Sequence, residues 1–186
     1  MPAAKKPVDE LRNIGAPRDL IEWVRKLPPE TAARSAWVDA ARADWMPHLA
    51  VVRGIGSDQV LRAICECALD IIGPLEGPEG ARVLDVLRDT AARGRAALAT
   101  TEADLADLKL AIIAYGHQTQ PGARPPWMYW AELVLELARA ASRSNMLVGM
   151  SLAMRLLAYA NTIGKPTARP AHHDLVARLR DKLTMG

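Results

Sequence analysis

The chain has 186 residues, of which 50% are hydrophobic but only 4% aromatic, with no phenylalanine. A chain of this length buries enough surface to fold as one domain without disulfides or a structural metal. Its 24 Lys and Arg are nearly balanced by 21 Asp and Glu, and the two signs are mixed along the predicted helices, which argues against the basic stripe of a nucleic-acid-binding protein. No window reaches the roughly 18 consecutive apolar residues of a membrane span. We therefore expect a cytoplasmic protein that contacts neither nucleic acid nor membrane.

The N-terminal part predicts a tail followed by helices. Residues 1–7 carry two lysines and two prolines, so we expect a disordered tail there and a single all-helical domain over residues 8–186. Apolar residues recur at helical spacing in the segments after the tail, which predicts helices over 8–13, 18–27, 29–43 and 45–53.

A corner is expected where the last two of these helices meet. Asp44 precedes Trp45 and Pro47, so its carboxylate can accept hydrogen bonds from the first turn of the next helix, in which Pro47 has no N–H to satisfy. We interpret this corner as a helix N-terminus capped by Asp44.

Residues 56–74 form the segment with the most complete helix signal. Ser57 or Asp58 can cap its start, Gly73-Pro74 cannot continue it, and eight apolar residues between them follow the 3-4 spacing of a broad buried face. Cys65 and Cys67 lie two positions apart, about 200° around a helix, so a disulfide between them is unfavourable. We expect a central core helix with free thiols in a reducing compartment.

The second half predicts five more helices. Apolar periodicity places them at 79–93, 102–116, 127–142, 146–162 and 171–183. The helix over 146–162 is apolar on nearly all sides, which is typical of the middle of a bundle. Residues expected in the core are Leu61, Ile64, Cys65, Ala68, Leu69, Val83, Leu87, Leu108, Ile112, Leu133, Leu137, Leu152 and Leu156.

Two segments between these helices are rich in Gly and Pro. Residues 116–126 predict an exposed loop, and residues 164–170 predict a linker to a C-terminal helix. Because binding residues often lie on loops, the first segment is the better candidate for function, although a plain connection is the alternative.

Signals of catalysis or metal binding are weak. His172 and His173 are adjacent, so they point about 100° apart on a helix and chelate one ion poorly, and no other histidine lies at ligand spacing from a carboxylate or thiol. We predict no metal, no cofactor and no catalytic residue. A dispersed active site around His48, His117 or Glu66 remains the enzymatic alternative.

Tryptophan supplies the best candidates for a protein interface. The five tryptophans are large fillers for an Ala-rich core, but Trp is also a favoured interface anchor. Trp45 at the corner and Trp127 at a helix start are the two candidates for that role. We add four polar residues of the predicted loop to the candidate partner-binding set: His117, Gln118, Gln120 and Arg124.

Residues 36–94 resemble an Ala-rich all-helical bacterial family. The resemblance lies in Ala36-Trp37, in Arg42-Ala-Asp-Trp45, in Leu61-Arg-Ala-Ile-Cys-Glu-Cys-Ala68 and in Ala92-Arg-Gly94. Some members of that family carry the label of immunity protein from polymorphic toxin systems. The resemblance implies a helical fold and a role in binding a protein partner, with no catalytic residues.

The predicted fold is all-α, a single-domain multi-helix bundle or short helical array of seven to nine helices. The predicted function is a non-enzymatic protein-binding module, of an immunity or adaptor type, that neutralises or docks a partner protein. Two alternatives stay open: a self-assembling structural protein that uses the Met-rich helix over 146–162, and an enzyme with a cryptic helical site. A homo-oligomer is compatible with the protein-binding module and with the self-assembling structural protein.

Overall fold

The computed structural model describes residues 7–29, 31–100, 102–118, 125–142, 146–160 and 172–184. These residues form eleven α-helices and no strand. The helices are α1 (Pro7–Asn13), α2 (Arg18–Arg25), α3 (Ala32–Asp39), α4 (Met46–Val52), α5 (Ser57–Ile71), α6 (Gly77–Arg93), α7 (Arg95–Thr100), α8 (Glu102–Gln118), α9 (Pro126–Ser142), α10 (Met146–Ala160) and α11 (His172–Thr184), with a 3₁₀ turn at Ala43–Trp45.

The all-α class is confirmed, whereas the predicted number of seven to nine helices is wrong. Each of the ten segments with helical periodicity contains a helix, so the predicted number was too low for its own segments, and the structure adds one short helix. Gly94 at φ +65° ends α6, and the six-residue α7 follows it directly, in a stretch where the sequence predicted no helix.

A core of aliphatic side chains joins the helices. α10 packs along α9 and also against α4, α5 and the 3₁₀ turn, while α5 packs against α6. Gly149 allows the closest approach of α9 and α10, because a Cβ atom there would lie 1.9 Å from the Cβ of Ala140. The largest fully buried side chains are Leu11, Leu20, Met46, Leu61, Ile64, Leu87, Leu108, Leu133, Leu137, Met150, Met154 and Leu157.

Helix α5 occupies the central position that its pattern predicts, but its predicted cap is wrong. Leu61, Ile64 and Ala68 are fully buried. The N-cap position is Gly56, with no side-chain hydrogen bond to the first turn. Instead, the Asp58 carboxylate accepts a hydrogen bond from the backbone N–H of Arg95 at 2.7 Å, so it connects the start of α5 to the start of α7.

Most of the expected core is buried, with one clear exception. Leu69, Ile112 and Leu156 are half-buried, and Leu152 on α10 is 37% exposed. The prediction for Leu152 is wrong because one stripe of α10 faces away from α9 and α5. Hydrophobicity on all sides of a helix does not reveal which side its neighbours leave uncovered.

The C-terminal helix returns to the first half of the chain. α11 packs on α5 and on the 3₁₀ turn, and its four apolar residues Leu175, Val176, Leu179 and Leu183 are buried. On the polar side of the contact, Lys182 Nζ lies 3.0 Å from Asp70 and 3.5 Å from Glu66. The carboxylates that mark the polar face of α5 therefore face α11.

The predicted linker over 164–170 and residues 1–6 of the predicted tail lie outside the described part of the chain. Helix α1 begins at Pro7, the last residue of the predicted tail. Among the helices that the structure describes, none combines the length and apolar character needed to cross a membrane.

Candidate functional site

A cleft of about 670 Å³ lies where the connection between α5 and α6 meets the start of α9. Its lining combines an indole, two carboxylates and two prolines with backbone. The lining residues are Pro74, Leu75, Glu76, Gly77, Glu79, Pro125 and Trp127.

Two glycines shape one wall of this cleft. Gly77 adopts φ +82°, a conformation that other residues rarely adopt, and this opens α6. Gly80, one turn further on, contacts the preceding connection so closely that a Cβ atom there would lie 2.6 Å from the Cβ of Leu75. The connection therefore folds back onto the first turn of α6 and brings Glu76 and Glu79 to the same cleft.

The described residues of the cleft lining carry negative charge. Among the described residues that line it none is basic, and neither Glu76 nor Glu79 forms an ion pair with another described residue. Carboxylates at this position also stabilise the positive end of the α6 dipole, so they have a structural role as well as a capacity to attract a cation.

Trp127 forms the opposite wall. Its indole is half-buried in the first turn of α9. The ring meets Tyr115 of α8 edge to face, with ring centres 6.4 Å apart and an angle of 81° between the planes. This contact holds the indole in place while part of its surface stays open, which is the arrangement that a binding anchor requires.

The other predicted partner-binding residues have different positions. His117 and Gln118 belong to the last turn of α8, which extends into the predicted loop, although their side chains lie outside the described set. Gln120 and Arg124 fall entirely outside the described residues. Of these candidates, Trp127 is the one that the structure places at the cleft.

Trp45 lies in a packed corner away from this cleft. Only 7% of its surface is exposed, its ring stacks on Trp23 at 5.0 Å between centres, and the guanidinium of Arg42 covers it at 5.0 Å. An indole so enclosed offers little surface to a partner.

The predicted capping role of Asp44 is wrong. α3 ends at Asp39, and the extended backbone at Arg42 (ψ 124°) leads into the 3₁₀ turn. This extended segment lets Arg42 turn back, so that its Nε and Nη2 donate to the two oxygens of Asp44 at 3.1 and 2.6 Å. The Asp44 carboxylate therefore binds the Arg42 guanidinium, and α4 has no side-chain cap.

Arg42 is the centre of a wider polar cluster that sequence reasoning missed. Its Nη1 also donates to Asp19 at 2.5 Å, and the Asp44 hydrogen bond raises the pKa of the guanidinium. Ser151 of α10 donates its hydroxyl to the Asp44 carbonyl oxygen at 2.5 Å. These residues are far apart in sequence, so no local motif could have indicated the cluster.

Two histidines beside this cluster, His48 and His172, are at least partly buried. His48 is fully buried, and neither of its ring nitrogens makes a hydrogen bond to a described residue. Burial lowers its pKa to about 4, and the charge of Asp44 only partly opposes this shift. His172 accepts a hydrogen bond from the backbone N–H of Ala43 on Nδ1 at 3.2 Å, and burial lowers its pKa too.

The thiols are both enclosed. Cys65 and Cys67 are free and fully buried on α5. Burial raises the pKa of Cys67 to about 12 and also raises that of Cys65, so neither is a nucleophile at neutral pH. Within the described residues, no three His, Cys, Asp or Glu side chains come together in a group that could hold a metal ion.

Comparison of the chain with protein-family models, with curated proteins and with solved structures finds no match to any of them.

Proposed function

We propose that this protein is a non-enzymatic protein-binding module that docks a basic segment of a partner protein in the cleft beside Trp127. One observation carries the proposal: a partly exposed indole and two carboxylates that make no ion pair with a described residue line the same cleft.

The chemistry of the cleft selects the partner group. An Arg or Lys side chain that enters it can stack on the indole through a cation–π contact and can pair with Glu76 and Glu79. The prolines and Leu75 supply apolar surface for its methylene groups. Carboxylates on the rim also raise the association rate of a basic partner in a salt-dependent way.

The resemblance of residues 36–94 to the bacterial immunity family supports a finer proposal. We infer that the partner is neutralised or docked in the cytoplasm, as expected of an immunity or adaptor protein. A catalytic role around His48 has no comparable support, because its imidazole is enclosed and Glu66 faces Lys182.

The test is purification of the chain from its native host followed by mass spectrometry. We expect a stoichiometric protein partner. Trp127→Ala should weaken its binding by about 2 kcal/mol or more, while the melting curve of the variant changes little. The double variant Glu76→Gln, Glu79→Gln should slow association and reduce its salt dependence. Binding that survives both changes would refute the proposed site.

Two control variants make the result specific. Trp45→Ala removes a buried indole, so it should lower the melting temperature and reduce binding only in proportion to unfolding. Asp85→Asn removes a carboxylate that is exposed on α6 and already paired with Arg88, so it should leave binding unchanged. A retained small molecule or metal in place of a protein would favour the enzymatic alternative.

A further inference from the structure

A pocket of about 600 Å³ lies between α10, the 3₁₀ turn and the first residue of α11. Its volume falls within the range of roughly 300–1,000 Å³ that is typical of small-molecule sites. No described residue lines both this pocket and the cleft beside Trp127. A ligand bound here therefore contacts none of the described residues of that cleft.

The described lining of this pocket carries one cation, Arg155, without a counter-ion. Arg42 and Asp44 also belong to the lining, but they bind each other through two hydrogen bonds, so their charges cancel. Arg155 of α10 is exposed and makes no ion pair with a described residue. Asp19, the second carboxylate bound to Arg42, lines a neighbouring cleft instead. The described lining therefore has a net positive charge, which Arg155 supplies.

His172 adds a neutral hydrogen-bond donor to the same pocket. Its Nδ1 accepts a hydrogen bond from the backbone N–H of Ala43 at 3.2 Å, which fixes the ring and leaves the proton of the neutral imidazole on Nε2. Burial lowers the pKa of His172, and the charges of Arg42 and Arg155 lower it further against that of Asp44, so the ring is neutral at neutral pH. Its Nε2–H makes no hydrogen bond to a described residue.

Apolar side chains form the rest of the described lining. Leu152 and Tyr159 keep 37% and 58% of their surface exposed, and both lie in this pocket beside Leu156. The Tyr159 ring contacts Tyr129 of α9 with ring centres 6.1 Å apart, which holds it in place at the pocket. Apolar surface beside an unpaired guanidinium is the combination that suits a ligand with an anionic end and an apolar body.

We propose that this pocket binds a small organic carboxylate with an apolar body. The carboxylate accepts hydrogen bonds from the Arg155 guanidinium, whose planar fork matches its two oxygens, and from Nε2–H of His172. The body packs on Leu152, Leu156 and Tyr159. A single net positive charge matches a monoanion, whereas a phosphate monoester, with about two negative charges at neutral pH, leaves one of them uncompensated. The proposal does not depend on the protein-binding function proposed above.

Titration of the isotope-labelled protein with hydrocinnamate, followed by NMR, tests the proposal. Hydrocinnamate joins a phenyl ring to a carboxylate through a short chain. We expect saturable shifts of the signals of Leu152, Arg155 and Leu156, with a dissociation constant on the order of 1 mM or tighter. The amide of the same acid keeps the shape without the charge, and acetate keeps the charge without the body. Each should bind at least about tenfold more weakly.

Two arginine variants make the test specific. Arg155→Gln should weaken the binding of hydrocinnamate by about tenfold or more, with an unchanged melting temperature because this side chain is exposed. Arg178→Gln is the matched control, since Arg178 of α11 is also exposed, makes no ion pair with a described residue and does not line the pocket. It should leave the binding of hydrocinnamate unchanged.

Four outcomes would overturn the proposal. Shifts that do not saturate by about 10 mM hydrocinnamate show that no site of useful strength exists. Equal affinity for the amide shows that the anion is not recognised. Equal affinity in Arg155→Gln shows that hydrocinnamate binds elsewhere. Tighter binding of phenyl phosphate than of hydrocinnamate shows that the pocket selects a dianion.

Discussion

The burial of His48 makes the stability of the protein depend on pH. The imidazole is fully buried without a hydrogen-bonding partner among the described residues, and its pKa of about 4 lies well below the usual 6.5 of the unfolded chain. Below about pH 6.5 the unfolded chain therefore gains a proton that the folded chain does not, so stability is complete above that pH and falls as the pH approaches 4.

The expected loss of unfolding free energy between these two pH values is on the order of 3 kcal/mol. Urea unfolding at a series of pH values measures it. His48→Leu should remove most of this dependence, with a remainder from His172, whose pKa is also lowered. The exposed His173 serves as the control, because His173→Gln should keep the wild-type dependence. An unchanged slope in His48→Leu would contradict the assignment.

At the level of single residues, the sequence predicted local helix geometry better than it predicted side-chain contacts. It predicted that Cys65 and Cys67 do not pair, because helix geometry alone decides that point. It could not predict that Asp44 binds Arg42 instead of capping a helix, because the outcome depends on an extended backbone at residue 42. The cluster that contains Asp19 and Ser151 required contacts between distant parts of the chain.

The junction between α6 and α7 shows how one residue can define a helix boundary. Gly94 adopts φ +65° and ψ −141°, and a Cβ atom there would lie 2.3 Å from Oδ1 of Asp58. Gly94→Ala should therefore destabilise the fold by about 2–4 kcal/mol, from backbone strain together with the steric clash.

Urea unfolding of two further variants separates these contributions. Gly54 also has a positive φ, +86°, but no atom lies within 4 Å of its Cβ position, so Gly54→Ala should cost only about 1 kcal/mol. Adding Asp58→Ala to Gly94→Ala should recover part of the loss in a double-mutant cycle. Additive effects of the two changes would show that the carboxylate does not limit the space at residue 94.

At the level of helices, the long strongly patterned segments were predicted well. α5, α6 and α9 lie within a few residues of their predicted bounds, because a continuous apolar face and a Gly or Pro stop are local signals. α3 is shorter than predicted, since Ala-rich sequence favours helix without specifying where tertiary packing ends it. The exposed stripe on α10 could not be predicted, because it depends on which neighbours cover the helix.

For the whole molecule, α11 joins the second half of the chain to elements of its first half, because it packs on α5 and on the 3₁₀ turn. A chain that ends at residue 170 lacks four buried apolar side chains, each worth about 1.5–3 kcal/mol, which is comparable with the total stability of a typical domain. We expect this truncated chain to lose its cooperative thermal transition. Leu179→Ala should cost about 2–5 kcal/mol, whereas Ala in place of the exposed Arg178 should change little. A cooperative transition in the truncated chain would show that α11 is dispensable.

The return of α11 to α5 also has a consequence for synthesis in the cell. α5 is made about a hundred residues before α11, the helix that covers one of its faces. Domains generally fold from the N-terminus during synthesis, yet here the contact between Lys182 and Asp70 cannot form until α11 has been made. The growing chain must therefore carry an uncovered face of α5 on the ribosome until then, and premature termination within α11 should produce a target for chaperones and proteases.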